Sequence, residues 1–410
     1  MAAFVITTVI LFMQGMAGAP GRFGDDPDDD QPPNGDLVVT PTPTPTIEPT
    51  PFIPNLPPRV EVRGIWVGVE HYGNSTYMNE LFDLIENSIL NTMVLDIKNE
   101  EGQVIHLTND DFAAWRPERA ENVLPDHTAT VAELKSRDIY TIARLACFKD
   151  PIGTVRQPQN AVRNRNGNVW SDNAGVRWLN PFIKENWEYL AEIALEAARM
   201  GFDEIQLDFV RFAVGGALSD RDLPNADEFA PIITEFVSFM RDTLRGVGVR
   251  ISVDIFAIAG LSTTDSRLLG QNVQSLLPLV DAISPMIYPS HFAHEGRGAH
   301  GNGSGSLING VLFPRPALDP HGVIYNTLQH YRRHVDLFTS NNPGVDVAEI
   351  RPYLQGSNDD FLPEGFWMVY GPDEYAAQIQ AVYDAGFTEW LFWAHRGNYL
   401  AFDRYQAFFP

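Results

Sequence analysis

The chain has 410 residues, 44% of them hydrophobic, which is enough for one large barrel or two smaller domains. Its 53 acidic and 29 basic residues give a formal net charge of −24, which argues against nucleic-acid binding, because that binding relies on Lys and Arg. The single cysteine, Cys147, excludes an internal disulfide and a cysteine-rich metal site.

The first 58 residues differ in composition from the rest of the chain. Residues 3–13 are apolar and small residues follow them, a pattern typical of a secretory signal, although no basic residue precedes it. We therefore expect 1–19 to be a signal-peptide-like or membrane-proximal apolar segment. Residues 20–58 are rich in Asp, Pro and Thr and are predicted to form a disordered linker, because they cannot bury apolar surface. Together the two segments favour a secreted or surface-tethered protein; the alternative is a disordered tail on a cytosolic one.

From Val62 onward, β-like runs alternate with helical patterns. The runs lie at 62–70, 92–98, 138–145, 203–210, 249–255, 280–288, 348–355 and 388–393. The helical patterns lie at 77–89, 127–136, 181–199, 227–245, 266–277, 323–335 and 373–385. Strands that alternate with helices indicate parallel βαβ units, and eight such strands predict an α/β fold, a (β/α)8 TIM barrel over residues 59–410.

A doubly wound open sheet is the competing fold. The first predicted strand is not followed by Gly-x-Gly-x-x-Gly, and the sequence has no Gly-x4-Gly-Lys-Ser/Thr loop. Polar residues also end nearly every predicted strand, whereas an open sheet would concentrate them near one switch point. Both observations favour the barrel.

The strongest functional signal is a pair of carboxylates on neighbouring predicted strands. In the run 203–210, apolar residues alternate with Gln206 and Asp208, so the polar face ends in a carboxylate. The next run, 249–255, ends its polar face with Asp254. Paired carboxylates are what glycosidic cleavage requires, because one donates a proton and the other attacks carbon or activates water. Asp208 and Asp254 are therefore the predicted catalytic residues.

The other predicted strands also carry polar or aromatic side chains near their carboxyl ends, where barrel enzymes place their sites. Those predicted to bind substrate are Trp66, Glu70, Asp96, Lys98, Arg144, Arg211, Tyr288, His291, Gln355 and Trp393. An internal ion-pair network is the alternative for the charged members, with Asp96 paired to Lys98 or Arg144, and Asp208 paired to Arg211. The aromatic members would pack on the apolar face of a pyranose, although each is also typical of a core.

The histidines do not form a recognisable metal motif, since neither His-Glu-x-x-His nor His-x-His occurs, and we expect no metal and no cofactor. His291, His294 and His300 follow the sixth predicted strand, and residues 296–310, rich in Gly, Ser and Asn, are predicted to form a mobile lid. Cys147 lies in an apolar stretch and is predicted to be a buried core thiol.

Eight segments resemble the DUF4015 family of glycoside-hydrolase-like barrels. They are RGIWV at 63–67, NTMVLDIK at 91–98, WLNP at 178–181, GFDEIQLDFVRF at 201–212, SVDIF at 252–256, DAISPMIYPSH at 281–291, IRPYLQ at 350–355 and EWLFW at 389–393. The resemblance covers almost all of 59–400 and implies a barrel of glycosidase ancestry. Mapped by strand onto the α-amylase-like arrangement, it implies Asp208 as nucleophile and Asp254 as acid/base. The chain departs from that arrangement, which has a Glu on the fifth strand and an Arg where Gln206 stands.

Three functions compete at this point. The first is a secreted or surface-tethered glycoside hydrolase acting on an oligo- or polysaccharide, with association to the cell surface or cell wall. The second is a non-catalytic glycan-binding barrel, and the third is a metal-dependent hydrolase with Asp96, Asp208 and Asp254 as ligands. The sequence predicts neither the sugar nor the oligomeric state.

Overall fold

The computed structural model describes residues 56, 58–105, 107–117, 120–298, 300–394 and 397–409. The predicted signal-like segment 1–19 lies outside the described residues. The predicted linker 20–58 also lies outside them, apart from residues 56 and 58.

Eight parallel strands close into a barrel. They are β1 (Arg63–Val67), β2 (Thr92–Lys98), β3 (Tyr140–Ala146), β4 (Glu204–Asp208), β5 (Arg250–Phe256), β6 (Ala282–Ile287), β7 (Tyr353–Gln355) and β8 (Trp390–Trp393). Each strand pairs in parallel with the next, and β1 pairs with both β2 and β8, which closes the sheet. The predicted (β/α)8 barrel is confirmed.

Helices surround the barrel. They are α1 (Ser75–Glu86), α2 (Thr128–Ser136), α3 (Pro151–Arg156), α4 (Lys184–Met200), α5 (Phe229–Arg245), α6 (Thr263–Leu269), α7 (Val273–Leu276), α8 (Pro320–Asn341) and α9 (Pro372–Asp384). The single helix predicted at 266–277 is two helices, because Gly270 has φ +75° and ends α6. Gly201, with φ +96°, ends α4. Within the described ranges, every helix is too short or too polar to cross a membrane.

Several of the segments between the barrel strands carry short strands of their own. Additional strands are Val104–Ile105, Val123–Leu124, Arg297–Gly298, Gly301–Asn302, Ser306–Ile308, Val311–Phe313 and Glu349–Ile350. The four strands between 297 and 313 form two antiparallel pairs, three of whose strands fall within the predicted lid 296–310, whose mobility stays a prediction. The strand predicted at 62–70 ends at Val67, and Glu70 falls in the following 3-10 helix, Val69–His71.

Alternation along each strand divides the side chains between two cores. Ile205, Leu207 and Val253 are fully buried in the layer between barrel and helices. Val94 and Leu391 face inward, in a separate cluster that fills the barrel interior. The two sets of residues lie on opposite faces because side chains on a strand alternate with a period of two.

The barrel interior also holds a buried ion pair near the amino ends of the strands. The Glu204 carboxylate accepts hydrogen bonds from the Arg351 guanidinium and from the hydroxyls of Ser252 and Tyr140. Burial raises the pKa of Glu204, but Arg351 more than offsets that effect and holds the pKa below its ordinary value. The pair therefore joins β4 to the segment leading into β7 beneath the rim.

Replacing one partner of this pair should destabilise the fold strongly. We expect Arg351→Met to lower the free energy of unfolding by about 3–5 kcal/mol, because it leaves the Glu204 charge buried without compensation. Urea denaturation measures the change. The control is Arg267→Met, which removes one partner of an exposed pair with Asp227 and should cost less than about 1 kcal/mol. Equal losses in the two variants would contradict the prediction.

Candidate active site

The guanidinium of Arg144 organises the carboxyl end of the barrel. Its Nε and Nη2 donate to Asp208 Oδ2 at 2.9 and 2.7 Å, and its Nη1 donates to Asp96 Oδ1 at 2.7 Å. Glu100 Oε2 lies 3.2 Å from Nη2. The side chains of Arg144, Asp96 and Asp208 are at most 7% exposed. One cation therefore holds carboxylates from β2, from the loop after β2 and from β4.

Asp96 lies beneath a layer of aromatic groups. Trp66 Nε1 donates to Asp96 Oδ1 at 3.1 Å, and the Asp96 backbone N–H donates to the Tyr72 hydroxyl at 2.7 Å. Burial raises the pKa of Asp96 to about 6, although the Arg144 charge opposes the shift. The predicted pairing of Asp96 with Arg144 is therefore present.

Asp208 ends β4 at a point of backbone strain. The next residue, Phe209, has φ +48°, and its N–H donates to Asp208 Oδ1. A left-handed conformation at a bulky residue costs on the order of 1–3 kcal/mol, and such strain clusters at functional sites. Asp208 is paired with Arg144 and not, as the ion-pair alternative proposed, with Arg211.

Asp254 lies on the neighbouring strand in a different environment. Leu207 is in register with Val253, so the next residues along lie side by side: Asp208 at the end of β4, and Asp254 two residues before the end of β5. Asp254 is 1% exposed, and its Oδ1 has no hydrogen-bond partner in the described part of the chain. Burial, followed by the charge of Asp208, raises the pKa of Asp254 well above its ordinary value. Burial and the neighbouring charge therefore favour the protonated form of Asp254, whereas Asp208 is paired with Arg144.

Aromatic rings form one side of the site. Trp66 stacks on Trp393 with ring centroids 5.7 Å apart, and Tyr288 lies 5.7 Å from Trp393. His291 follows at 5.3 Å from Tyr288. We call these four residues the aromatic wall; all four are among the predicted substrate-binding residues.

Two further predicted site residues, Lys98 and Glu70, differ in their surroundings. The register of β2 against β3 shifts between Asp96 and Lys98, and the fully buried Lys98 ammonium lies 3.2 Å from Asp150 Oδ2. Lys98 is thus part of an internal ion pair below α3. Glu70, in the 3-10 helix after β1, has a side chain that is 43% exposed.

The other two predicted residues support the surrounding loops. The Arg211 guanidinium lies 4.2 Å from the ring centroid of Phe256 and 4.9 Å from that of Trp178, and it is 4% exposed. Gln355 Oε1 accepts from the Ser290 backbone N–H at 3.0 Å. Arg211 therefore packs between rings, and Gln355 fixes the loop after β6.

Sequence reasoning missed two carboxylates of this region, Glu100 and Asp359. Glu100 lies two residues beyond β2 and reaches back to Arg144. Asp359 lies four residues beyond β7 and contacts Ser290. Strand alternation ends with the strand, so it carries no signal for either residue.

The described residues include no group of three or more His, Cys, Asp or Glu side chains arranged to hold a metal ion. The Arg144 guanidinium lies between Asp96 and Asp208, which are two of the three ligands that a metal-dependent hydrolase would use. Asp96 and Asp208 are therefore already paired with a cation that the protein itself supplies, the Arg144 guanidinium.

Comparison with known families identifies the barrel. The model of the DUF4015 family, described as "Putative glycosyl hydrolase domain", matches residues 64–399. The PgaB (BpsB) glycoside hydrolase domain from Bordetella bronchiseptica is 12% identical, with 86% of this chain and 99% of that domain covered and a TM-score of 0.59. That similarity supports the barrel fold.

Two further solved structures are similar over shorter or less well superposed regions. A hypothetical protein from Ruminiclostridium thermocellum ATCC 27405 is 30% identical, covers 47% of this chain and 97% of its own, and has a TM-score of 0.42. TtGalA, an alpha-galactosidase from Thermus thermophilus in complex with stachyose, is 15% identical, with 85% and 66% covered and a TM-score of 0.48. No curated protein matches the chain.

Removing the charge of Asp208 should lower the pKa of Asp254. The Asp208 carboxylate disfavours a second negative charge beside it, so Asp208→Asn should move the Asp254 titration to lower pH. Carboxyl ¹³C NMR of aspartate-labelled protein measures this titration, and Asp254→Asn assigns the resonance. Asp242→Asn removes an exposed carboxylate on α5 and should leave the midpoint unchanged. An unchanged midpoint in Asp208→Asn would contradict the coupling.

Proposed function

The chain belongs to the DUF4015 family, and from that premise we propose that it is a glycoside hydrolase that cleaves an oligo- or polysaccharide with Asp208 and Asp254. The observation that carries the proposal is the contrast between these two carboxyl groups. Asp208 accepts two hydrogen bonds from Arg144, whereas Asp254 is buried without such a cation and has a raised pKa. Two neighbouring carboxyls in such different environments are suited to nucleophile and acid roles.

In the proposed reaction, Asp254 donates its proton to the glycosidic oxygen as the bond from that oxygen to the anomeric carbon breaks. Asp208 attacks the same carbon and forms a glycosyl ester. In the second step, water attacks the anomeric carbon, its proton passes to Asp254, and the ester bond to Asp208 breaks. Both side chains then regain their initial protonation states.

The surroundings support these roles. Arg144 holds Asp208 in a fixed orientation, so little reorganisation precedes the attack. The aromatic wall brings together side chains of the kind on which the apolar face of a sugar packs. The apolar segment 3–13 and the Pro- and Thr-rich spacer support an enzyme that is secreted or held at the cell surface, where polysaccharides are accessible.

A non-catalytic glycan-binding barrel is the second candidate function. The Arg144–Asp208 pair favours this second function. The Asp208 side chain is only 7% exposed and is held by the Arg144 guanidinium, which also suits a structural role. Assaying one glycan panel for both binding and reducing-end release separates the two functions. Bacterial cell-wall and exopolysaccharide fractions are the first to screen.

Replacing either carboxyl should abolish hydrolysis. We expect Asp208→Asn and Asp254→Asn each to lower kcat/KM at least about 10³-fold, because each removes the nucleophile or the acid from a reaction that requires both. Reducing-end release on the substrate found in the panel measures the loss. Circular dichroism and thermal melting check that the fold persists, and Asp242→Asn serves as the control. Near-normal turnover in Asp208→Asn would refute the central role of Asp208.

The products should retain the anomeric configuration of the substrate. Neighbouring strands are about 4.8 Å apart, and side chains that leave them in the same direction bring their carboxyls near the ~5–5.5 Å typical of retaining enzymes. ¹H NMR of the first product, recorded before mutarotation, gives the configuration. Release of the opposite anomer would reassign Asp208 as the base that activates water.

A further inference from the structure

Arg211, which follows β4 shortly after Asp208, is a buried cation that lacks an acidic partner among the described residues. It is 4% exposed, and its guanidinium makes one hydrogen bond to them, from Nη1 to the Phe212 carbonyl at 3.0 Å, while Nε is buried without a partner. The chain has 53 acidic and 29 basic residues, so acids are not scarce. Burial lowers the pKa of Arg211 to about 10, and the group therefore stays charged at pH 7. A buried charge without compensation is costly, which points to an anionic ligand.

The two acids whose charges act on Arg211 are bonded to other groups. These acids are Asp208 and Asp172. Asp208 Oδ2 accepts from Arg144, and Asp172 Oδ2 accepts from Trp178 Nε1 at 3.0 Å. Asp172 Oδ1 accepts from two backbone N–H groups of its own turn, at 2.9 and 3.0 Å. Neither acid therefore supplies the hydrogen-bond acceptor that Arg211 Nε lacks.

Phe256 places the Arg211 guanidinium on the route to Asp254. Phe256 lies two residues beyond Asp254 on the same face of β5, about 6.6 Å nearer the carboxyl end. The Arg211 guanidinium lies 4.2 Å from its ring centroid. Met286, in register with Phe256, packs against both the Phe256 cluster and the interior cluster that contains Tyr288. Buried side chains fill the barrel toward its amino end, so a sugar reaches Asp254 from the carboxyl end and passes Arg211.

The unpartnered edge of this guanidinium has the geometry that recognises a carboxylate. Nε and Nη2 lie on one edge, and neither donates a hydrogen bond to a described residue in Arg211. Two parallel N–H groups on such an edge match the two oxygens of a carboxylate. Arg144 uses the same edge, Nε with Nη2, to hold Asp208. The chain thus contains a filled and an unfilled version of one arrangement at the same end of the barrel.

We propose that Arg211 is a specificity-determining residue whose Nε–Nη2 edge binds the carboxylate of a uronic acid unit in the substrate. The inference rests on the proposed function and deepens it, because it names an acidic polysaccharide as the substrate class. A sugar carboxylate compensates the buried cation, whereas the hydroxymethyl group of a neutral hexose has no charge with which to do so.

The first arm of the test measures affinity in the Asp208→Asn background, so that the ligand is not consumed. The probes are oligogalacturonate, oligomannuronate and hyaluronan oligosaccharides, each compared with its carboxyl-reduced form, in which a primary alcohol replaces the carboxylate. Calorimetry at pH 7 keeps both the sugar carboxylate and Arg211 charged. At least one acidic oligosaccharide should bind about tenfold more tightly than its reduced form, the equivalent of one charged hydrogen-bonded contact.

Substitutions at Arg211 should remove this preference. Arg211→Lys keeps a cation among the rings but loses the two-donor edge, and should reduce the ratio of affinities to below about threefold. Arg211→Gln removes the charge and should bring the ratio close to one; if it does not fold, the lysine variant carries the test. Arg267→Gln removes a cation that is 48% exposed on α6 and should leave the ratio unchanged.

The second arm observes the contact directly and does not depend on hydrolysis. ¹⁵N NMR of arginine-labelled full-length protein detects the Nε–H groups, and Arg211→Lys assigns the resonance of Arg211. The acidic oligosaccharide that binds most tightly should shift this resonance downfield and slow its exchange with water, because Nε–H gains a charged acceptor. The carboxyl-reduced form should leave the resonance unchanged.

The outcomes separate this inference from the proposed function. Equal affinities within every pair of probes, a preference for the acidic form that persists in Arg211→Lys and Arg211→Gln, or an unshifted Nε–H resonance overturns the inference, while hydrolysis of a neutral glycan would still stand. If an acidic oligosaccharide binds through Arg211 but neither it nor any other glycan is cleaved by the wild-type protein, the proposed hydrolysis fails and the carboxylate site stands.

Discussion

The bonds from Arg144 to Asp96, Glu100 and Asp208 are the interaction on which the candidate site depends. A carboxylate taken out of water costs several kcal/mol unless it is paired, and these three groups come together at one end of the barrel. Arg144 compensates them from β3, the strand between β2 and β4. Without its guanidinium, Asp96 and Asp208 would have to take up protons or move apart, and the rim would lose its geometry.

This compensation also creates the difference between Asp208 and Asp254. Arg144 contacts only the first of the two, so the second carboxyl has burial and a like charge as its strongest influences. Asp208 Oδ2 takes both guanidinium bonds, whereas Oδ1 accepts from the Phe209 N–H. A carboxylate oxygen has two lone pairs, so Oδ1 can still attack carbon while Oδ2 stays clamped. The ion pair is thus compatible with a nucleophile.

The sequence predicted the barrel well because both the alternation of side chains along strands and the spacing of apolar residues along helices are visible in it. Alternation placed Gln206, Asp208 and Asp254 on the inner face, and it did so wherever the strand was regular. Alternation did not predict side-chain positions where a strand has a register shift or has already ended. Lys98 follows a register shift, so it turns toward Asp150 instead of the rim. Beyond Val67, alternation no longer applies to Glu70. Contacts made by loop residues, such as Asp359 with Ser290, depend on tertiary packing and leave no pattern in the sequence.

The two ends of the barrel differ in how fully their acids are hydrogen-bonded, and this difference supports the proposed site at the carboxyl end. At the amino end, the Glu204 carboxylate accepts four hydrogen bonds, from Tyr140, Ser252 and twice from Arg351. A group so fully bonded is stabilised in one state and has no capacity left for a ligand. At the carboxyl end, Asp254 Oδ1 has no partner among the described residues, although it is equally buried. An unpartnered buried oxygen costs about 1–3 kcal/mol, a cost that a glycosidic oxygen hydrogen-bonded to Asp254 would remove. Under the proposed function, the bound substrate would supply the hydrogen-bond partner that Asp254 Oδ1 lacks.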